Sequence, residues 1–345
     1  MSTSASVQMS SNMEKAPIYK YVVMCVIMAG LILTEGASGN LLPLTMLQFG
    51  LDNDTMGDIK AINPLFGFIS QPIVGYLSDR IWTPFGRRGF FLILGAPIVG
   101  LSLFVVPELN AVASLVVWVI IWQCFQDVLW GSDHPLMADL FAPSQRPLLG
   151  AYMACAGSLS GIFFLDILLE MELTTAYRTV GIAQLVLVAG AAFFLNEKPP
   201  RNLPAGKKWA IVNIEGDGDR EPRKPVFQRI ANGVTWYAKE IFSNSIYTRF
   251  AILNFLKFLA VSLIGGWVIY FGTITLGLSK DEFGDRWKLE PIITLFFAVP
   301  AGWFIGKYCP KQWTMVVGFA VMMIACAMGY YAETPQDLMN VAIVF

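Results

Sequence analysis

The stretch Gly75-Tyr76-Leu77-Ser78-Asp79-Arg80-Ile81-Trp82-Thr83-Pro84-Phe85-Gly86-Arg87-Arg88 decides how this chain is read. It leaves one long apolar run and enters another, and it crowds three arginines and an aspartate into a single loop. Gly75 is expected to permit close helix approach, and Asp79 and Arg80 to form a charged pair at a membrane surface. Arg87 and Arg88 would then anchor the following helix on an anionic leaflet. Clustered cations orient any membrane protein, so part of this signal is only topological. The order Gly75, Asp79, Arg80, Gly86, Arg87, Arg88 is the more specific part.

The chain around the loop agrees with lipid as solvent. Its 345 residues are 55% hydrophobic and 14% charged, with a mean hydropathy of +0.57. A soluble domain carries about a quarter charged residues. A bilayer core of about 30 Å needs roughly 20 apolar residues in a helix. That ruler predicts helices near Lys20–Leu47, Met56–Leu77, Gly89–Val106, Ala111–Leu136, Leu148–Leu169 and Tyr177–Leu195. After a polar stretch, three more follow near Phe250–Leu276, Trp287–Ile305 and Trp313–Tyr331, and a tenth starts near Leu338. The expectation is an all-α polytopic membrane protein, C-terminally incomplete, with about nine full transmembrane helices. The polar, Ser/Met-rich start lacks the design of a cleavable signal peptide.

Cation placement gives the orientation. Of the 24 Lys and Arg, only Lys60, Arg178, Lys280, Arg286 and Lys288 fall in loops on one side, and Lys257 lies in a helix. The others gather on the opposite side, which the positive-inside rule makes cytoplasmic. The expected organisation is a cytoplasmic tail at 1–18, a six-helix bundle at 19–196, a cytoplasmic linker at 197–247 and a second, incomplete bundle at 248–345. Within the linker, 197–224 is rich in Pro, Gly and charge and reads as flexible. Phe227, Ile230, Val234, Tyr237 and Ile241 then mark one face of an interfacial helix, read as a strut between bundles. Gly302 to Lys307, closing the eighth helix, echoes Gly75 to Arg80 and suggests a duplicated scaffold. The expected location is a cell membrane, plasma or inner, with the N-terminus inside, and the expected state is a monomer.

Several function classes drop out. Cys25, Cys124, Cys155, Cys309 and Cys326 are scattered and form no CxxC pair, and His134 is the single histidine. A metal site and a cofactor are therefore not expected. No basic face suits nucleic acid. No nucleophile–base pair or Walker sequence points to an enzyme or an ATP-driven pump.

The loop resembles the signature between the second and third helices of the major facilitator superfamily. In particular it is similar to the branch of sucrose/proton symporters, related to glycoside–pentoside–hexuronide:cation symporters. Leu47-Gln48-Phe49-Gly50-Leu51, Pro64-Leu65-Phe66-Gly67, Gln71-Pro72-Ile73-Val74-Gly75 and Ala138-Asp139-Leu140 extend the likeness. Dense matching covers about 33–95. The resemblance implies two pseudo-symmetric six-helix bundles rocking about a midplane site. It also implies that Gly75, Asp79, Arg80, Gly86, Arg87 and Arg88 form a conformational latch.

Ionisable groups at bilayer depth are costly, so each marks a candidate functional position. Glu35 on the first helix and Asp127 on the fourth fall near the midplane, with Lys257 on the seventh somewhat inward. They are candidates for substrate contact or ion coupling, or else an ion-pair network holding the bundles together. Asp133 and His134, lower on the fourth helix, are further candidates for coupling or substrate contact, or else line an inner vestibule with water. Gln123 and Asn40 offer amides for a hydroxyl-rich ligand, as do Asn63 and Gln71, with Trp130 and Trp267 for stacking. Aligned on Ala138-Asp139-Leu140, the acid that sucrose symporters use on the fourth helix falls at Gln123, and their arginine at His134. Neither is retained. The leading expectation is secondary transport of a small polar solute, a sugar or glycoside, coupled to H⁺ or Na⁺. Efflux of an amphipathic compound and a non-transporting scaffold are the alternatives.

Overall fold

The computed structural model describes residues 15–199, 210–211, 268–309 and 311–344, with isolated positions between 235 and 253. Residues 1–14 of the expected tail at 1–18, Lys257, Trp267, the start of the seventh helix and the apolar face from Phe227 to Ile241 lie outside the described residues.

The described residues are helical almost throughout. Helices α1 (Ile18–Gln48), α3 (Gly89–Glu108), α4 (Val112–Leu140), α5 (Arg146–Leu168) and α6 (Leu173–Gly190) are each long and apolar enough to cross a membrane. Helix α2 (Asn53–Ser78) is long but less apolar, because Asp54, Asp58, Lys60 and Gln71 interrupt it. Lys60 therefore belongs to a helix, two turns in, and not to a loop as the cation count supposed. After the described gap come α7 (Val268–Tyr270, continued by a π-helical turn Phe271–Thr275), α8 (Lys280–Trp287), α9 (Leu289–Tyr308), α10 (Lys311–Tyr330) and α11 (Pro335–Val344).

Helix α8 was not foreseen. Its start is a capping box: Glu282 N–H donates to Ser279 Oγ at 3.2 Å, and Ser279 N–H donates to Glu282 Oε2 at 2.9 Å. Those reciprocal bonds satisfy two of the donors that a helix start leaves unpaired. The pattern Ser279-Lys280-Asp281-Glu282 carried the signal.

Within the first six helices, α4 packs against α2 and α3, while α1 packs against α5 and α6. The core between them is apolar, with Met24, Ile27, Leu31, Leu92, Val99, Leu115, Val119 and Leu129 fully buried. Two buried polar bridges join α1 to α6: Thr34 Oγ1 donates to Gln184 Oε1 at 2.8 Å, and the Thr45 and Tyr177 hydroxyls lie 2.9 Å apart. Outward faces instead expose large apolar side chains such as Leu101, Val117, Leu159, Val186, Phe296 and Phe297. That inversion of the usual surface suits lipid.

Helix α9 lies along α5, antiparallel, through small residues. A Cβ on Gly302 would come within 2.6 Å of the Ala151 Cβ, and Cys155 Sγ lies 3.7 Å from the Leu295 carbonyl. At the far end of this seam Lys288 Nζ reaches Asp166 Oδ1 at 3.1 Å; separately, Tyr270 on α7 donates to Asn53 Oδ1 at the start of α2.

Candidate functional site

Three helices converge on a charged cluster. Asp127, near the middle of α4, is 5% exposed. Its carboxylate fits against α2 because Gly67 has no side chain: a Cβ there would lie 3.1 Å from Asp127 Oδ1. One turn along α2, Gln71 Nε2 donates to that same oxygen at 3.3 Å, and Oδ2 has no hydrogen-bond partner among the described residues. Glu35 on α1 interacts electrostatically with Asp127 and with Lys60, and Trp130 donates to its carboxylate. Glu35 and Gln71 are exposed, so the cluster opens to one side. Among the described residues, two carboxylates and one ammonium leave a single negative charge, and inside a membrane an uncompensated ion costs several kcal/mol.

The other expected residues scatter. Gln123 is buried and donates to Ser38 Oγ at 2.8 Å, tying α4 to α1. Asn40 spends its amide on its own helix, donating to the Gly36 carbonyl at 3.0 Å inside the π-helical turn Ala37–Leu41. Asp133 does not line a vestibule: it is 0% exposed, and neither oxygen has a partner among the described residues. His134, the next residue, is exposed, and its ring lies 5.4 Å from that of Trp130. It lines a cavity of about 620 Å³ between α1, α4, α5 and α9, together with Ser158, Glu290 and Thr294.

The loop that opened the sequence reading forms a dense network. Arg87 Nη2 and Arg88 Nε lie 2.7 and 2.9 Å from the two oxygens of Asp139 at the end of α4. Arg88 Nη2 and Arg87 Nη1 lie 3.1 and 3.5 Å from Asp79 Oδ1 at the end of α2. Asp79 thus pairs with Arg87 and Arg88 and not with Arg80, whose guanidinium sits 3.5 Å above the Tyr76 ring. Asp139, from the Ala138-Asp139-Leu140 stretch, completes the set.

Glu197, just past α6, caps α3. It accepts from the backbone N–H groups of Arg87 (3.2 Å), Arg88 (3.0 Å) and Gly89 (2.7 Å). Burial pushes its carboxyl above the usual range, opposed by those three donors. Gly86 makes room, with φ +92° and a hypothetical Cβ only 2.3 Å from Glu197 Oε1. Beside it β1 (Ile81–Trp82) pairs antiparallel with β2 (Ala210–Ile211). The described part of the linker read as flexible is therefore fastened to the loop at two points. Gly75, by contrast, has nothing within 4 Å of a Cβ, so the close approach expected there is made at Gly67.

Comparison with known proteins adds the following. The family profile described as Major Facilitator Superfamily matches residues 24–345. The nitrate/nitrite transporter NrtP of Nostoc punctiforme is 24% identical over 176 residues, covering 50% of this chain and 34% of that protein. Human proton-associated sugar transporter A is 40% identical over 60 residues, 17% of this chain and 8% of that one. The sucrose transport protein SUT5 of Oryza sativa subsp. indica is 28% identical over 109 residues, 25% and 20% of the two chains. The matched stretches thus span about a third or less of each relative's length. A crystal structure of the peptide transporter POT in complex with sulfate superposes with a TM-score of 0.62 at 12% identity, covering 98% of this chain and 82% of that one. That likeness concerns the fold.

Proposed function

Because this chain belongs to the Major Facilitator Superfamily, we propose that it carries out secondary active transport of a small polar solute, of the sugar or glycoside class, coupled to H⁺ or Na⁺. The observation that carries this reading is the Glu35–Lys60–Asp127 cluster. Among the described residues it holds one more carboxylate than ammonium groups, and it opens to one side near the middle of α4. A proton or Na⁺ taken up there removes the excess charge. Occupancy of the coupling site then becomes a condition for closing the site around a solute. Asp127 is the coupling residue in this scheme, with Glu35, Gln71 and Trp130 offered to the solute.

Bundles at 19–196 and 248–345 would rock about this site. The Asp79–Arg87–Arg88–Asp139 network, with Gly75, Arg80 and Gly86 in the same loop, would latch one of the two states. The names of the sugar and sucrose relatives support the solute class, and the nitrate relative is the main competing solute. Uptake into proteoliposomes by the chain at its full natural length, over a panel of sugars, glycosides and nitrate, tests the proposal. Accumulation of a sugar or glycoside that needs an imposed H⁺ or Na⁺ gradient is expected. Nitrate accumulation alone, or none from the panel, contradicts it.

The proposed orientation places the N-terminus and the linker in the cytoplasm. In a cysteine-free background, Asp58→Cys should react with an impermeant maleimide added outside intact cells, and Gly218→Cys only after permeabilisation. Outside labelling of Gly218→Cys would reverse the topology.

A further inference from the structure

Helix α4 carries a second acid that the scheme above does not use. Asp133 is 0% exposed, inside the packing of the first six helices, with both oxygens unpartnered among the described residues. It is not alone. Gln126, 2% exposed, has neither polar atom partnered among the described residues, and the Trp122 Nε1 of the same buried stripe also lacks an acceptor among them. Spacings of four and seven put Trp122, Gln126 and Asp133 on one face, about a third of a turn from the face that carries Asp127 and His134. Buried polar groups in native proteins are almost always paired, so a row of unpaired ones on a membrane helix calls for a reason.

The described charged groups of the helices packed against α4 do not supply a partner. Lys20 and Glu35 on α1, Asp54, Asp58 and Lys60 on α2, Arg88 and Glu108 at the ends of α3, and Arg146 and Asp166 at the ends of α5 make no hydrogen bond or ion pair with Asp133. Nor do Asp127, His134 and Asp139 on α4 itself. Lys20 Nζ is 3.4 Å from the Asn196 carbonyl, and Arg88 is engaged by Asp79 and Asp139. A buried carboxylate with no compensating group among the described residues is the costly form, and the neutral acid is the form that fits.

Asp133 also lies between two helix-weakening residues. Pro135 inside α4 has no N–H to give, so the Gly131 carbonyl loses its helical partner. Gly131 itself adds backbone freedom. The neighbouring His134 already reaches the 620 Å³ cavity, so a twist of about one residue would carry Asp133 to the same space.

We propose that Asp133 is a proton-binding site enclosed within the first six helices, distinct from the Asp127 cluster, which the Gly131–Pro135 segment exposes to the cavity. The step is a simple transfer: a hydronium ion in cavity water gives its proton to a carboxylate oxygen, and the return of that proton restores it.

The test is infrared difference spectroscopy on the full-length protein in bilayers, titrated with pH. A protonated-carboxyl band should persist at neutral pH, vanish in Asp133→Asn and remain in Asp127→Asn. A spectrum unchanged by Asp133→Asn overturns the site, whatever the outcome of the uptake assays. Asp133→Leu should melt at a higher temperature than the parent, since it replaces an unpartnered polar group with an apolar one. A lower melting temperature would reveal a partner and overturn the enclosed acid. Pro135→Ala restores the missing hydrogen bond and should slow loss of the band after a jump to alkaline pH. An unchanged rate overturns the hinge.

Discussion

Asp127→Asn should abolish gradient-driven accumulation while leaving the protein folded and inserted. The amide is nearly isosteric with the acid, and it can still accept the hydrogen bond that Gln71 donates at 3.3 Å. What it cannot do is ionise. One proton moving down one pH unit supplies about 1.4 kcal/mol, so a one-proton symporter concentrates its solute about tenfold per unit of ΔpH. An uncoupled carrier only equilibrates it. The expected result is therefore a fall of about tenfold per pH unit, to the equilibrium level, with solute exchange in the absence of a gradient retained. If Asp127 only balances the ammonium of Lys60 through Glu35, neutralising both should cure the defect. Recovery of accumulation in Asp127→Asn with Lys60→Met would end the coupling role.

Gly86→Ala should be the most damaging small change in the loop. At φ +92° an L side chain costs about 1–2 kcal/mol. The new methyl would also meet Glu197 Oε1 at 2.3 Å, so the carboxylate must withdraw from three backbone donors. Each such bond is worth about 1 kcal/mol net. A loss of roughly 3 kcal/mol or more follows, read as a clear drop in melting temperature in detergent. Gly75→Ala is the control, because a Cβ there meets nothing within 4 Å and α2 is helical at that point. Its melting should stay within about 0.5 kcal/mol of the parent. Equal losses in the two variants would remove Glu197 as the cause.

The contrast between Gly86 and Gly75 shows where sequence reading stopped. Both glycines stand out in the motif, and only the folded chain says which one a neighbour crowds. The helices were legible because lipid demands long apolar runs, and the predicted ends fall within a few residues of the observed ones for α1 to α5. Lys60 was misplaced because α2 is the least apolar of the first six helices, so hydropathy alone blurs where its loop ends. Asp133 and His134 are adjacent, and α4 is apolar on nearly every side. With no apolar stripe to orient the helix, the sequence could not say that one faces inward and the other the cavity. Arg87 and Arg88 were recognisable as a motif. Their partner Asp139 lies two helices away, and Glu197 more than a hundred positions on, so neither pairing leaves a local trace. The capping box at Ser279 did leave one, and it was legible to anyone looking for S-x-x-E before a helix.

The central claim is that solute and cation move together through the Glu35–Lys60–Asp127 site. It is tested most directly by recording external pH, or external Na⁺ with an ion-selective electrode, while solute is added to unenergised proteoliposomes. Solute entry down its own gradient should draw the coupling cation with it. Under the proposal the outside medium turns alkaline, or loses Na⁺, in step with uptake, and Asp127→Asn silences the signal. Uptake that proceeds at full rate with neither ion following would contradict the account.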